Sequence, residues 1–262
     1  MGQNADSSLT RARHVVALTA RYAAALARYN LVLPFTDRPA VRRFAAAVLQ
    51  HDFLRGSGRR LPSVGIADVF PEIRQQTWTM VGVAWSEETP YLGGVLRAIG
   101  GRTVVEIGTY EGAMTIQLAA NVPPDGRVVT VDIAPDEVAH AVAPAGGSDR
   151  RLTAKPIDRI GRLYRDTPYA ARITQLVQDS ATVDYRAHVD AIDLVYIDGG
   201  HSYAQVRIDT EKVLPLMRSG GALFWHDYQP GAVGVTRYLH ELARRYPLRH
   251  LRRTQLAVLR VE

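Results

Sequence analysis

The 262-residue chain contains no cysteine, which excludes disulfides, thiolate nucleophiles and cysteine-ligated zinc or iron–sulfur centres. It has no uninterrupted apolar stretch near the ~18–20 residues that span a bilayer. Its start, Met1-Gly2-Gln3-Asn4-Ala5-Asp6, lacks the basic and then apolar pattern of a secretory signal. A cytoplasmic protein with no membrane partner is the expectation. Lysine is scarce: of 32 basic side chains, only Lys155 and Lys212 are not arginine. With so many alanines alongside, that imbalance reads as a compositional bias, and the net charge of +6 is weak support for a phosphate-binding face. The densest basic run, Arg244, Arg245, Arg249, Arg252 and Arg253, reads as a solvated helix end and strand edge. Both phosphate-loop signatures, G-x-x-x-x-G-K-[ST] and G-x-G-x-x-G, are missing. What remains is 47% hydrophobic and 22% charged, the balance of a globular chain with enough apolar side chains for a core.

The texture changes along the chain. Apolar residues recur every three to four positions over 9–29 and 39–54, predicting two helices. A turn-rich stretch, 55–63, follows. From about residue 86, short β-branched runs alternate with amphipathic patterns. Strands are expected at 102–107, 127–132, 172–177, 192–197 and 221–225, with one or two more in 247–261. Helices are expected near 112–121, 155–166, 202–218 and 232–245. Near-continuous apolar strands alternating with helices imply a doubly wound α/β domain with a mostly parallel sheet covered on both faces.

In such a sheet, ligands bind beyond the carboxyl ends of the strands. The first strand ends Glu106-Ile107-Gly108-Thr109-Tyr110-Glu111-Gly112. Gly108 permits a tight turn and Gly112 lets a helix begin close to a ligand. Tyr110 stands where a dinucleotide fingerprint needs glycine, and its bulk would keep a pyrophosphate away. The second strand ends in Asp132, which can accept hydrogen bonds from both hydroxyls of a ribose. The third ends Gln178-Asp179-Ser180, where a group can meet an adenine edge. A ribose acid and a glycine turn without a phosphate loop suit an uncharged nucleoside, and S-adenosylmethionine fits.

Five pieces in order carry a resemblance. They are Ser86-Glu-Glu-Thr-Pro-Tyr-Leu92, Glu106-Ile-Gly-Thr-Tyr-Glu-Gly112, Thr130-Val-Asp132, Tyr196-Ile-Asp-Gly-Gly-His-Ser-Tyr203 and Gly220-Gly-Ala-Leu-Phe-Trp-His-Asp227. Together they resemble class I S-adenosylmethionine-dependent methyltransferases. More closely, they are similar to the metal-dependent O-methyltransferases of the catechol and caffeoyl-CoA type and to relatives that methylate macrolide sugars. The resemblance implies a Rossmann-like, mostly parallel seven-stranded sheet over 86–262, preceded by an N-terminal helical segment, 1–85. That segment would serve as lid, acceptor site or dimer contact, and a homodimer is expected.

The resemblance also implies roles. Glu106, Gly108, Thr109, Tyr110 and Gly112 would line the methionine and ribose part of the cofactor. Asp132 and Ile133 would hold the ribose end, and Asp179 and Ser180 the adenine. Asp198, His226 and Asp227 would hold Mg²⁺ or Mn²⁺ at the acceptor hydroxyls. Here the chain departs from the family pattern, because His226 stands where an aspartate is usual. Mg²⁺ prefers oxygen and imidazole suits softer ions. Either the site takes Mn²⁺ or a similar ion, or His226 turns away, or no metal binds. His201 would take the hydroxyl proton, with Asp198 nearby to hold the imidazolium.

The function this implies is methyl transfer to a hydroxyl of a small molecule, a sugar or polyhydroxylated natural product from secondary metabolism. Two alternatives stand beside it. Nucleic-acid methylation is opposed by Asp198-Gly-Gly-His201, which lies where base methylases carry an Asn/Asp-Pro-Pro-aromatic motif. The other is a cofactor-binding protein of this fold with altered or lost activity.

Overall fold

The computed structural model describes residues 61–75, 79, 81, 88–143, 149, 155–229 and 231–262. The helices expected at 9–29 and 39–54 lie outside them, as do Ser86 and Glu87. Residues 61–262 group as one compact unit. Its elements in chain order are β1 (Ser63–Val64), α1 (Ile66–Val69), α2 (Glu88–Ala98), β2 (Thr103–Ile107), α3 (Ala113–Asn121), β3 (Arg127–Asp132) and β4 (Ile173–Val177). They continue with β5 (Ile192–Ile197), α4 (Tyr203–Val213), β6 (Met217–Trp225), α5 (Val233–Leu242), β7 (Arg249–Leu251) and β8 (Ala257–Arg260). Among these, no helix is long and apolar enough to cross a membrane.

The strands form one sheet in the order β1-β7-β8-β6-β5-β2-β3-β4. All neighbours are parallel except β6–β8 and β7–β8. The chain winds outward from β2 through β3 to β4, then returns to place β5 on the other side of β2. This reversal opens a crevice at the carboxyl ends of β2 and β5. The doubly wound, mostly parallel, Rossmann-like architecture is therefore present, with eight strands where seven were expected.

Burial follows from the residues. Every side chain of β5 (IDLVYI) is buried, as a central strand covered on both faces requires. Edge strand β4 (ITQLV) is half-exposed throughout. The core joins Val104, Val128, Leu194 and Phe224 of the sheet to Leu92, Val95 and Leu96 of α2 and Leu118 of α3. Phe70 belongs to the same core, fully buried and stacked 6.2 Å from Phe224. Residues 61–75 thus pack with the sheet, although the sequence reading grouped them with the segment before residue 86. The extra strand, β1, comes from there too and pairs with β7.

Two further differences have local causes. Residues 155–166 form turns and one 3₁₀ turn, Ile157–Arg159, rather than a helix. Gly161 is left-handed (φ 70°), and the backbone N–H groups of Gly161 and Leu163 donate to the carbonyls of Tyr110 and Glu111, both at 2.9 Å. Those bonds tie the segment to the turn after β2 and replace the helical ladder. The helix expected to reach residue 218 stops at Val213, because Pro215 ends it in a 3₁₀ turn.

Candidate active site

A cavity of about 310 Å³ opens at the strand ends. It is lined by Gly108 and Tyr110 after β2, Asp132 and Ile133 after β3, and Asp179 and Ser180 after β4. Asp198 and His201 after β5, with His226 and Asp227 after β6, complete it. Gly108 makes the turn possible. Its φ is 104°, and a Cβ there would run into the carbonyl of Asp198, so only glycine lets the β2 turn lie against the end of β5.

At one end of the cavity, Asp132 gathers donors. Its Oδ2 accepts from the Tyr110 backbone N–H at 2.6 Å and from Lys155 Nζ at 2.8 Å. Both side chains of the Lys155–Asp132 pair are only 8% exposed. The Lys155 ammonium also lies 4.8 Å from the Tyr110 ring centroid, where the aromatic face attracts it. Oδ1 of Asp132 has no protein donor among the described residues, which leaves it for a ligand hydroxyl. Asp179 holds its own loop: its two oxygens accept from the N–H groups of Val142 (2.8 Å) and Ala181 (2.9 Å). Ser180 Oγ donates to Asp209 at 2.7 Å.

Three residues expected at the cofactor do not line the cavity. Glu106 lies beneath it, fully buried, and its Oε2 accepts from the hydroxyls of Thr115 (2.5 Å) and Thr130 (2.6 Å). Its Oε1 has no hydrogen-bond partner among the described residues. Burial pushes this carboxyl up to about 8 against the opposing pull of the two hydroxyls. Thr109 joins the same buried network, its hydroxyl 2.7 Å from that of Thr130. Gly112 serves as the left-handed N-cap of α3.

The other end carries the ionisable cluster. His201 is held between two carboxylates, with Nδ1 2.6 Å from Asp149 Oδ1 and Nε2 2.5 Å from Asp227 Oδ2. Its backbone N–H also donates to Asp149, at 3.2 Å. Burial works against the imidazolium, but the two carboxylates outweigh it and raise His201 to about 10. His226 packs beside it. Its Nε2 lies 2.9 Å from Glu88 Oε2, and its Nδ1 lies 3.1 Å from both Asp198 Oδ1 and Asp227 Oδ2. Here too burial opposes the charge, and the surrounding carboxylates push His226 up to about 12. Asp227 is buried as well, yet the two imidazoles hold it well below the usual carboxylate range. It has φ 58°, a strained conformation for a non-glycine residue. Its Oδ1 accepts from Gln229 Nε2 at 2.7 Å. Asp198 accepts from the Tyr196 hydroxyl at 3.0 Å.

Asp198, His226 and Asp227 each offer one ligand atom, and these atoms lie within 4.8 Å of one another. Nδ1 of His226 is buried in this group without a hydrogen bond of acceptable geometry among the described residues. A nitrogen and two carboxylate oxygens converging on one point fit a divalent cation.

All four expected residues at this end come together, but Asp149 and Asp227, not Asp198, flank the His201 ring, and Asp198 faces His226. Asp149, Lys155 and Glu88 were missed as functional residues. Asp149, a helical residue in the structure, sits in Gly146-Gly-Ser-Asp-Arg150, which has no periodic signal. Lys155 carries one clue in being one of only two lysines, and Glu88 lies within the Ser86–Leu92 motif, which assigns it no role.

The geometry can be set beside known proteins. Residues 105–228, from within β2 to just past β6, match the model of a family described as a methyltransferase domain. That segment includes the β2 turn, Asp132, Asp198, His201, His226 and Asp227, so the resemblance to class I methyltransferases holds where the cavity is built. No curated protein matches the chain. Among solved structures, the chain is similar to the O-methyltransferase TomG from Streptomyces achromogenes, involved in tomaymycin synthesis and solved with S-adenosylmethionine. The two share 20% identity, covering 75% of this chain and 89% of TomG, with a TM-score of 0.47. An O-methyltransferase from Bacillus cereus, solved with S-adenosylhomocysteine, is 18% identical over 75% of this chain and 90% of its own, with a TM-score of 0.43. The Podospora anserina methyltransferase PaMTH1 is 11% identical over 88% and 98%, with a TM-score of 0.49.

Proposed function

We propose that this protein is an S-adenosylmethionine-dependent O-methyltransferase acting on a hydroxyl of a small molecule, with His201 as general base. The observation that carries this reading is the Asp149–His201 pair at one end of a cavity whose other end presents Asp132 Oδ1, without a protein donor among the described residues. An oriented imidazole facing a ligand cavity is the arrangement that accepts a hydroxyl proton. A sugar or polyhydroxylated natural product suits the polar end of the cavity.

When bound, S-adenosylmethionine supplies an electrophilic methyl group on a sulfonium. Asp132 Oδ1 would hold the ribose hydroxyls, and the hydrogen bonds from Tyr110 and Lys155 orient that carboxylate. His201 begins as an imidazolium shared with Asp227. The acceptor hydroxyl would take the place of the Asp227 oxygen at Nε2, and with one carboxylate gone the nitrogen would release its proton to solvent, leaving a neutral imidazole. As its oxygen takes the methyl group, the acceptor hydroxyl would pass its proton to His201 Nε2. Asp149 holds Nδ1–H throughout and balances the imidazolium that forms. The products are a methyl ether and S-adenosylhomocysteine. Asp198, His226 and Asp227 would hold a divalent cation, which lowers the pKa of an acceptor hydroxyl and fixes its oxygen. Alignment and exclusion of water supply most of the acceleration in such a displacement.

The test is transfer of labelled methyl from S-adenosylmethionine to a panel of sugars and catechols, with wild type and His201→Ala compared. Labelled methyl ethers from wild type and a ~10²–10⁴-fold loss in the variant are expected. Equal rates would remove His201 as the base, and label on nitrogen alone would overturn O-methylation.

A further inference from the structure

Glu88 lies against the ring nitrogen of His226 that faces away from the acid cluster. It is buried, 6% exposed, at the start of α2. Its Oε1 accepts from the backbone N–H of Gln255 at 2.6 Å, in the turn between β7 and β8. That bond leaves Oε2 aimed at Nε2 of His226, 2.9 Å away. In a metal-bound imidazole, a carboxylate beside the other ring nitrogen holds its N–H. Nδ1 faces Asp198 Oδ1 and Asp227 Oδ2, 3.1 Å from each, and among the described residues it makes no hydrogen bond of acceptable geometry. A cation that takes the place of the Nδ1 proton would meet one nitrogen lone pair and two carboxylate oxygens there.

The donor set says which cation. Mg²⁺ takes oxygen ligands and keeps several waters, whereas imidazole suits first-row transition ions. We propose that the Asp198–His226–Asp227 cluster binds a transition-metal ion of the Mn²⁺, Fe²⁺ or Co²⁺ class in preference to Mg²⁺, through Nδ1 of His226. Glu88 is the positioning residue that selects this nitrogen. The proposal deepens the functional reading above, and it rests on that reading's placement of a cation at this cluster.

Metal binding can be followed without turnover. The metal-stripped full chain is titrated calorimetrically with Mn²⁺ and with Mg²⁺, and pulsed electron paramagnetic resonance of the Mn²⁺ form is read for coupling to an imidazole nitrogen. Wild type is expected to favour Mn²⁺ by at least about tenfold and to show the nitrogen coupling. His226→Asp, which makes the donor set all oxygen, should narrow the preference and abolish the coupling. Glu88→Gln should weaken Mn²⁺ binding by about 10–100-fold while leaving the Mg²⁺ affinity of the His226→Asp background unchanged. Absence of the coupling in wild type, or an unchanged Mn²⁺ to Mg²⁺ ratio in His226→Asp, overturns the proposal. Should Glu88→Gln fail to fold, the His226→Asp comparison decides alone. Binding of S-adenosylhomocysteine by the metal-stripped protein separates the two readings. If it binds and the metal preference is absent, only this inference falls. If it does not bind and Mn²⁺ does, the methyltransferase reading falls and the metal site stands.

Discussion

Replacing Glu106 with glutamine isolates the most fully buried acid of the site in a single isosteric change. Its side chain is inaccessible, and burial raises it from the ordinary 4.5 to about 8. The folded chain therefore holds this proton more tightly than the unfolded chain does. The stabilisation is fully present below the ordinary carboxyl value and is lost as pH rises toward 8. Each pH unit in that window costs the folded state up to about 1.4 kcal/mol. Between pH 5.5 and 7.5 the cost is of order 2–3 kcal/mol, or roughly 5–10 °C of melting temperature for a chain of this size. Glutamine keeps an oxygen for Thr115 and Thr130 and puts an amide where Oε1 lacks a partner. That amide costs about 1–3 kcal/mol at every pH. The assay is thermal unfolding of both proteins from pH 5.5 to 8.5, read as the difference in melting temperature. Every other group titrates alike in the two, so the difference should move in favour of Glu106→Gln as pH rises. Parallel profiles would show that Glu106 ionises normally and would refute the desolvation argument.

Other expectations follow from the same geometry. Asp132→Asn should weaken S-adenosylhomocysteine binding by about 10–100-fold, the worth of a charge-assisted hydrogen bond, as read by thermal shift against ligand concentration. Asp149→Asn should lower turnover by about 10–100-fold and leave cofactor affinity nearly intact, because it removes the 2.6 Å partner that orients His201. Equal losses in turnover and cofactor binding would instead make Asp149 a structural residue. Gly108→Ala should abolish cofactor binding, since its Cβ would meet the carbonyl of Asp198; binding at wild-type affinity would contradict the close approach of the two turns.

Strand β5 was legible because Ile192-Asp-Leu-Val-Tyr-Ile197 is apolar almost throughout, and a central parallel strand must be. Knowing where its neighbours end was enough to bring Asp198, His201, His226 and Asp227 to one place. The losses came where contacts decide structure without periodicity. The 155–166 segment has helical spacing, yet its backbone bonds to Tyr110 and Glu111 draw it across the cavity. That crossing carries Lys155 to Asp132, a meeting no local pattern announces. Asp149 and Glu88 reach their histidines across the fold, at sequence separations of 52 and 138. Glu106 was placed correctly on its strand and wrongly in the cavity. Alternation along β2 could have located it under the turn, because Ile107 lines the cavity and its neighbour must face the opposite side.

The proposed chemistry requires that the cavity hold an S-adenosyl nucleoside. Calorimetric titration of the metal-stripped protein with S-adenosylhomocysteine tests this most directly. One site with a micromolar dissociation constant is predicted. No heat of binding at millimolar ligand would contradict the account and leave the doubly wound fold without the chemistry proposed for it.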